Sequence, residues 1–264
     1  MGTKRIFYGS AEYYLKFRSG YPASLIRRVV DISGLTEKDR VLDLGSGPGT
    51  LAYGFVPFCN QIVCVDPEPE MISKGMAYLA EYREKVSFLC KTADQLREDI
   101  GSFKLVVIGR AFHWMDRDKT LEFLDKIILN DGAVAIFRDP LLKLPENNWK
   151  SAFDEVYDKY AVSELARIGA RPRASAVDEA SFLKSSFNML ERVGQVHTRI
   201  HTIDYLIGRA FSMGGTSPFD LKDQTNYFEK ELRDRLDLHS KGGYLKEISE
   251  PQALIAKRSN HAGI

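Results

Sequence analysis

The stretch "VLDLGSGPGT", Val41 to Thr50, decides the fold. Val41, Leu42 and Leu44 make the short apolar run expected of a fully buried parallel strand. Gly45, Gly47 and Gly49 follow at once. A strand that runs straight into glycines reads as a nucleotide-binding loop, and the spacing limits which nucleotide. Dinucleotide fingerprints need G-x-G-x-x-G, whereas Thr50 stands where the third glycine belongs. A phosphate loop of the ATPase kind needs a closing Lys-Ser or Lys-Thr pair, and none is present.

Outward from this loop the first half alternates strand and helix signals. Leu25, Ile26, Val29, Val30 and Ile32 sit at helical spacing in "YPASLIRRVVDISGL", with Gly34 placed to end the helix. "QIVCVD" predicts a second buried strand and "EPEMISKGMAYLAEYREK" the helix after it. "VSFLCKT" and "KLVVIGR" predict strands three and four. "TLEFLDKIILNDG" predicts a helix closed by Asp131-Gly132, and "AVAIF" a fifth strand. This alternation implies a parallel sheet covered on both faces, wound by right-handed crossovers. The second half is more helical: "NNWKSAFDEVYDKYAVSELARI" and "FDLKDQTNYFEKELRDRLDLHS" read as helices, while "VGQVHTRIHTIDYLIG" and "QALIAKRS" each contain a strand. The expected α/β architecture is a Rossmann-like, doubly wound, seven-stranded, mostly parallel sheet. One domain would hold a cap segment and helix (1–34), a core (35–140), a helical lid insertion after strand five (141–190) and final strands with a helix (191–264).

Composition narrows the function classes. The 264 residues are 44% hydrophobic, and 37 Lys and Arg balance 36 Asp and Glu for a net charge of +1. That balance argues against a dedicated nucleic-acid or membrane-surface protein. Cys59, Cys64 and Cys90 lack metal-ligand spacing, so no metal site is expected and the thiols are read as free, in a reducing compartment. The first seventeen residues have no signal-peptide core and no run spans a bilayer, giving a cytoplasmic expectation.

Ligands of open α/β sheets bind outside the carboxyl ends of the strands. After strand one, Gly45-Ser46-Gly47 let a ligand approach the backbone. Asp66 ends strand two, about twenty residues on, a distance suited to a ribose hydroxyl. Ala93 and Asp94 follow strand three, where a carboxylate can accept from an exocyclic amine. Glycine loop and two acids together specify an adenosine without phosphate contacts. Taken singly, Asp66 also fits a helix N-cap with Pro67 at the first helical position, and Asp94 a turn residue.

On "VLDLGSGPGT", "VDPEPEMI", "TADQL" and "AFHWMD", in that order, the chain resembles the class I S-adenosylmethionine-dependent methyltransferases over roughly Tyr13 to Phe137. "YYLKFRSGYP" is also similar to the opening of the family's small-molecule subgroup, Tyr-x-x-aromatic-Arg-Pro-x-Tyr-Pro, with Ser19 replacing the first proline. The resemblance implies S-adenosylmethionine as cofactor. It implies that Tyr14 and Arg18 close over it, Arg18 near the methionyl carboxylate, with Gly45, Ser46 and Gly47 at the methionyl group. Asp66 would hold the ribose, Met71 would lie against adenine, and Ala93 and Asp94 would meet the adenine edge. Pro67, Arg110 and Ala111 complete the implied cofactor set.

Strand four is followed by "GRAFHWMDRD". His113 there would face the offered methyl group and could take a proton from a hydroxyl or ammonium; the alternative is a structural hydrogen-bonder at the cofactor's edge. Phe112 reads as core and Trp114 as the acceptor wall. Arg110 stands where the subgroup often has Gln or Asn, so a local ion pair or an anionic substrate are its two readings. Arg138, after strand five, reads as an acceptor contact or a partner of Asp139. Arg167, Arg171 and Arg173 in "ARIGARPRASA" read as a solvated loop or an anion-gathering lid.

The expected reaction is methyl transfer to a small-molecule acceptor, oxygen (hydroxyl or carboxylate) preferred, by a monomer or homodimer. N- or C-methylation, or a cyclase or binding protein on the same fold, are the alternatives. A nucleic-acid methyltransferase would carry Asn/Asp-Pro-Pro-Tyr/Phe after strand four, which this sequence lacks.

Overall fold

The computed structural model describes residues 7–162 and 176–259. By its contacts the chain groups into two compact units: a sheet unit of 20–139, 173–195 and 251–264, and a helix–ribbon unit of 1–19, 140–172 and 196–250. More segments therefore enter the second unit than the 141–190 insertion expected from sequence.

The sheet unit carries seven strands: β1 (Arg40–Leu44), β2 (Gln61–Asp66), β3 (Val86–Cys90), β4 (Phe103–Gly109), β5 (Ile128–Arg138), β6 (Met189–Gly194) and β9 (Gln252–Lys257), in the order β3-β2-β1-β4-β5-β9-β6. Neighbours among β1 to β5 pair in parallel, and β9 runs antiparallel to both β5 and β6. The expected mostly parallel, seven-stranded Rossmann-like sheet is present.

Strand alternation divides the core. Val41, Leu105, Val107, Ala135, Phe137 and Ile255 face helices α2 (Ala23–Ser33) and α3 (Thr50–Phe55) through Ile26, Val29 and Phe55. Leu42, Leu44, Val106, Ile108, Val134 and Ile136 face the opposite layer, where α5 (Arg117–Ile127) supplies Leu121 and Leu124, joined by Phe182 of α7 (Ala176–Lys184) and by Phe187. Burial on both faces is why these strands read as near-continuous apolar runs. Edge strand β6 is largely exposed and carries Glu191 and Arg192, charges that discourage further pairing. Gly34 ends α2 in the left-handed region at φ 65°, as its position predicts, and Leu35 N–H closes back on Val30.

One boundary differs from expectation. Helix α5 stops at Ile127 and β5 begins at Ile128, so Asp131-Gly132 lies inside the strand and does not cap the helix. The β4–β5 register slips between Phe103 and Leu105, forming a bulge. A Cβ at Gly132 would stand 2.7 Å from the Lys104 carbonyl oxygen, so the glycine admits a close backbone approach.

The helix–ribbon unit contains α1 (Ala11–Phe17), α6 (Trp149–Tyr160), α8 (Ile203–Phe211), α9 (Pro218–Leu221), α10 (Thr225–Asp237) and a two-stranded ribbon of β7 (His197–Thr202) with β8 (Tyr244–Ser249). Trp149, Phe153, Leu206, Phe211, Phe228 and Leu232 form its core. Asn147 clamps it, donating to the carbonyls of Leu142 and Ile248 at 2.7 Å each and accepting from Ile248 N–H at 2.9 Å. The ribbon's inner face buries Glu247 (3% exposed), whose carboxylate takes Arg209 at 2.5 Å and Arg199 at 3.5 Å, with His201 Nε2 at 3.3 Å. Despite burial, which raises it, His201 and Arg209 hold the Glu247 carboxyl down at about 2.

Candidate functional site

The site grows from the end of β1. Gly45, Gly47 and Gly49 all lie in the left-handed region, at φ 73°, 54° and 79°. A Cβ on Gly45 would collide with that of Ala111, which follows β4, so only glycine lets the two loops meet. Both Gly45 and Ser46 donate their N–H to the Val65 carbonyl, at 2.8 and 3.0 Å.

Asp66 at the end of β2 accepts from Gly47 N–H through one oxygen (2.8 Å) and from Glu68 N–H through the other (2.9 Å). Desolvation pushes its carboxyl up to about 6, opposed by those two bonds. The carboxylate is thus aimed and kept ionisable near neutrality, with lone pairs left to accept from a diol. Asp66 is not the N-cap of α4 (Pro69–Tyr78): Glu68 caps it, with Pro69 at the first helical position. Pro67 is exposed between them, and Met71 is buried on the first turn.

Sequence reasoning passed over Asp43, the one acid inside the first strand's run "VLDL". It is fully buried, and its Oδ2 accepts from Ala52 N–H at 3.0 Å. Helix α3 has Gly49 at its N-cap, which brings no side chain, so Asp43 supplies the acceptor from the strand below. Its Oδ1 has no hydrogen-bond partner among the described residues. Burial pushes this carboxyl up to about 7. A lone carboxylate within an apolar run was the available signal.

After β3 a reciprocal capping box between Thr92 and Gln95 fixes the turn holding Ala93 and Asp94, and leaves Asp94 exposed. After β4, Arg110 adopts φ 55°, one of two non-glycine residues in the left-handed region among those described. Its guanidinium lies over the Tyr21 ring at 5.1 Å. The short turn Phe112–Trp114 comes next. Phe112 is core, stacked on Phe182, whereas His113 and Trp114 are half-buried with ring centroids 4.8 Å apart. Arg138, at the end of β5, pairs with Asp178 of α7; Asp178 also takes Arg117 at 2.6 Å. That carboxylate lies forty residues down the chain (178 against 138), where no local pattern announces it.

The sheet unit therefore brings together Gly45, Ser46, Gly47, Asp66, Pro67, Met71, Ala93, Asp94, Arg110 and Ala111 along the carboxyl ends of β1 to β4. Tyr14 and Arg18 belong to the helix–ribbon unit, where Arg18 lies 5.5 Å from the Tyr14 ring and donates from Nε to Ser212 Oγ at 2.7 Å. Arg167, Arg171 and Arg173 lie outside the described residues. Among the described residues no cluster of His, Cys, Asp and Glu could hold a metal, and no helix is long and apolar enough to cross a membrane.

A family model described as a methyltransferase domain matches residues 41–129, the stretch from β1 into β5. This chain carries a methyltransferase domain over those residues. It is 23% identical to a Dictyostelium discoideum protein named as a methyltransferase, over 78% of this chain and 75% of that one. A Saccharomyces cerevisiae protein named as an S-adenosylmethionine-dependent methyltransferase is 25% identical over 47% of this chain, and the match spans 44% of the yeast protein. The fold is shared with the crystal structure of the YcgJ protein of Bacillus subtilis (TM-score 0.58, 19% identity, 90% of this chain and 99% of that one). The cofactor is S-adenosylmethionine. The methyltransferase's glycine cradle and its aimed Asp66 suit a molecule that offers a ribose diol and approaches backbone closely.

Proposed function

We propose that this methyltransferase acts on an oxygen of a small-molecule acceptor, with His113 as the group that receives the acceptor's proton when that oxygen is a hydroxyl. The observation that carries the reading is the tight packing of Ala111 on Gly45, which fixes the Phe112–Trp114 turn directly beside the glycine loop. A half-buried imidazole held there lies at the same strand ends as the cofactor residues. When bound, S-adenosylmethionine supplies an electrophilic methyl on a good leaving group. The chain's own contribution is then orientation and exclusion of water. Gly45, Ser46 and Gly47 would receive the methionyl portion, Asp66 the ribose, and Pro67, Met71, Ala93 and Asp94 the adenine side. Tyr14 and Arg18 are proposed as further cofactor contacts, and Trp114 and Arg138 as acceptor contacts.

Calorimetric titration with S-adenosylmethionine and S-adenosylhomocysteine tests the cofactor residues. Asp66→Ala is expected to weaken both by at least about 100-fold, since it removes a buried charged acceptor. Affinity unchanged by that substitution would refute the assignment. For the acceptor chemistry, His113→Gln should lower kcat by roughly 100-fold or more on a hydroxyl acceptor, with cofactor affinity unaltered. On a carboxylate acceptor, already ionised, it should change kcat only slightly. Methylated carbon or nitrogen in the product would overturn the oxygen assignment.

A further inference from the structure

Helix α7 meets the Phe112–Trp114 turn and its surroundings at two points. Asp178 and Phe182 are four residues apart and so share one face of the helix. Asp178 is 2% exposed and Phe182 fully buried. Each carboxylate oxygen of Asp178 takes a different arginine: Oδ1 accepts from Arg117 Nε at 2.6 Å, and Oδ2 pairs with Arg138 Nη2. Phe182 stacks on Phe112 with ring centroids 5.7 Å apart, and the Arg117 guanidinium lies 5.6 Å from the centre of the same Phe112 ring.

These contacts grip the turn from both ends. Its entrance is held by Ala111 against Gly45, and Met115 closes on the same glycine, its Cε 3.2 Å from where a Gly45 Cβ would stand. Its exit is Arg117, the first residue of α5, directly after the N-cap Asp116. His113 and Trp114 lie between these anchors, with Trp114 N–H bonded to the Ala111 carbonyl at 2.9 Å. Arg138 braces the carboxylate from the end of β5, so Asp178 ties the turn to a central strand of the sheet. A buried ion pair adds little net stability over apolar packing, but once formed it fixes the place of every partner.

We infer that Asp178 is a positioning residue for the methyl transfer: through Arg117 it fixes the turn that presents His113 and Trp114 to the acceptor. The inference rests on the acceptor-side reading proposed above and adds the residue that sets its geometry. Asp178 acts through its neighbours and touches neither cofactor nor acceptor.

The test uses the full chain labelled with 5-fluorotryptophan and saturated with S-adenosylhomocysteine. The chain has two tryptophans, Trp114 and Trp149, so fluorine NMR gives two resonances, assigned by Trp114→Phe. With the His113 ring 4.8 Å away, the Trp114 signal should move as His113 titrates, and His113→Gln should remove that movement. Asp178→Asn is expected to broaden or split the Trp114 resonance and to diminish its His113-dependent shift, while the Trp149 resonance stays where it was. Arg117→Gln should reproduce the effect, and Asp178→Glu, which keeps the charge, should restore part of the wild-type signal. On a hydroxyl acceptor Asp178→Asn should lower kcat roughly 10-fold, and the double variant with His113→Gln should be no slower than His113→Gln alone. Thermal melts show which variants fold, and Arg117→Gln decides where Asp178→Asn does not. A Trp114 resonance that keeps its width and its titration in the deciding variant, or losses in kcat that multiply in the double variant, would overturn the inference and leave the methyltransferase reading standing. Wild-type protein that binds no S-adenosylhomocysteine would overturn that reading itself.

Discussion

Asp43 and Asp66 lie in consecutive strands of one sheet, and desolvation lifts both, to about 7 and about 6. Between pH 4 and 7 the folded protein therefore retains protons that the unfolded chain has released. The unfolded state binds fewer protons in that window, so stability falls as pH rises through it, at up to about 1.4 kcal/mol per pH unit for each group. Urea denaturation of the ligand-free protein should give a smaller unfolding free energy at pH 8 than at pH 5. Asp43→Asn should shrink that difference, because it keeps an acceptor for Ala52 N–H without a charge to bury. An unchanged difference would mean Asp43 does not carry it. The same residues show what was legible locally. Gly45 and Gly47 were readable because positive φ and absent side chains leave a spacing in the sequence. Asp66 was readable by its distance from them. Asp43 was not, since a buried acid that caps a helix from below looks like an interruption of an apolar run.

At the scale of elements, the helix–ribbon unit places one carboxylate, Glu247, among Arg199, Arg209 and His201 on the inner face of β7 and β8. Its carboxyl is lowered from 4.5 to about 2, so its contribution is present above pH 4.5 and lost as pH falls toward 2. Glu247→Gln is expected to cost about 3 kcal/mol at pH 7, because it leaves two half-buried guanidinium groups beside a neutral amide. Urea denaturation should show the deficit shrinking below pH 4.5; a deficit equal at pH 7 and pH 3 would point to packing instead. This ribbon was only half visible in the sequence. "HTRIHT" carries a strand pattern, but "YLKEIS" mixes charge with apolar residues, because its buried Glu247 is matched by partners from other elements. The α5–β5 boundary was hidden for another reason: "KIILNDGAVAIF" is apolar on both sides of a turn-like Asp131-Gly132, and only the pairing with β4 shows that the glycine sits in a bulge.

Across the whole molecule the three cysteines differ in surroundings. Cys59 and Cys64 are buried and Cys90 is exposed at the end of β3. Burial pushes the Cys59 thiol up to about 11 and the Cys64 thiol well above its ordinary value. A thiol-reactive chromophore at pH 8 should titrate one group rapidly in the native protein and three after denaturation; more than one rapid group would contradict the burial of the first two. The same scale holds a consequence of the strand order. Strand β9, Gln252–Lys257, is inserted between β5 and β6, yet it is the last of the seven in the chain. A ribosome thus releases six strands of the sheet while its interior position stands empty, with β5 and β6 edges bare until the final strand emerges. The nascent sheet must wait for that strand, and a stop codon anywhere before Gln252 would remove not a fringe of the sheet but the strand that joins β5 to β6.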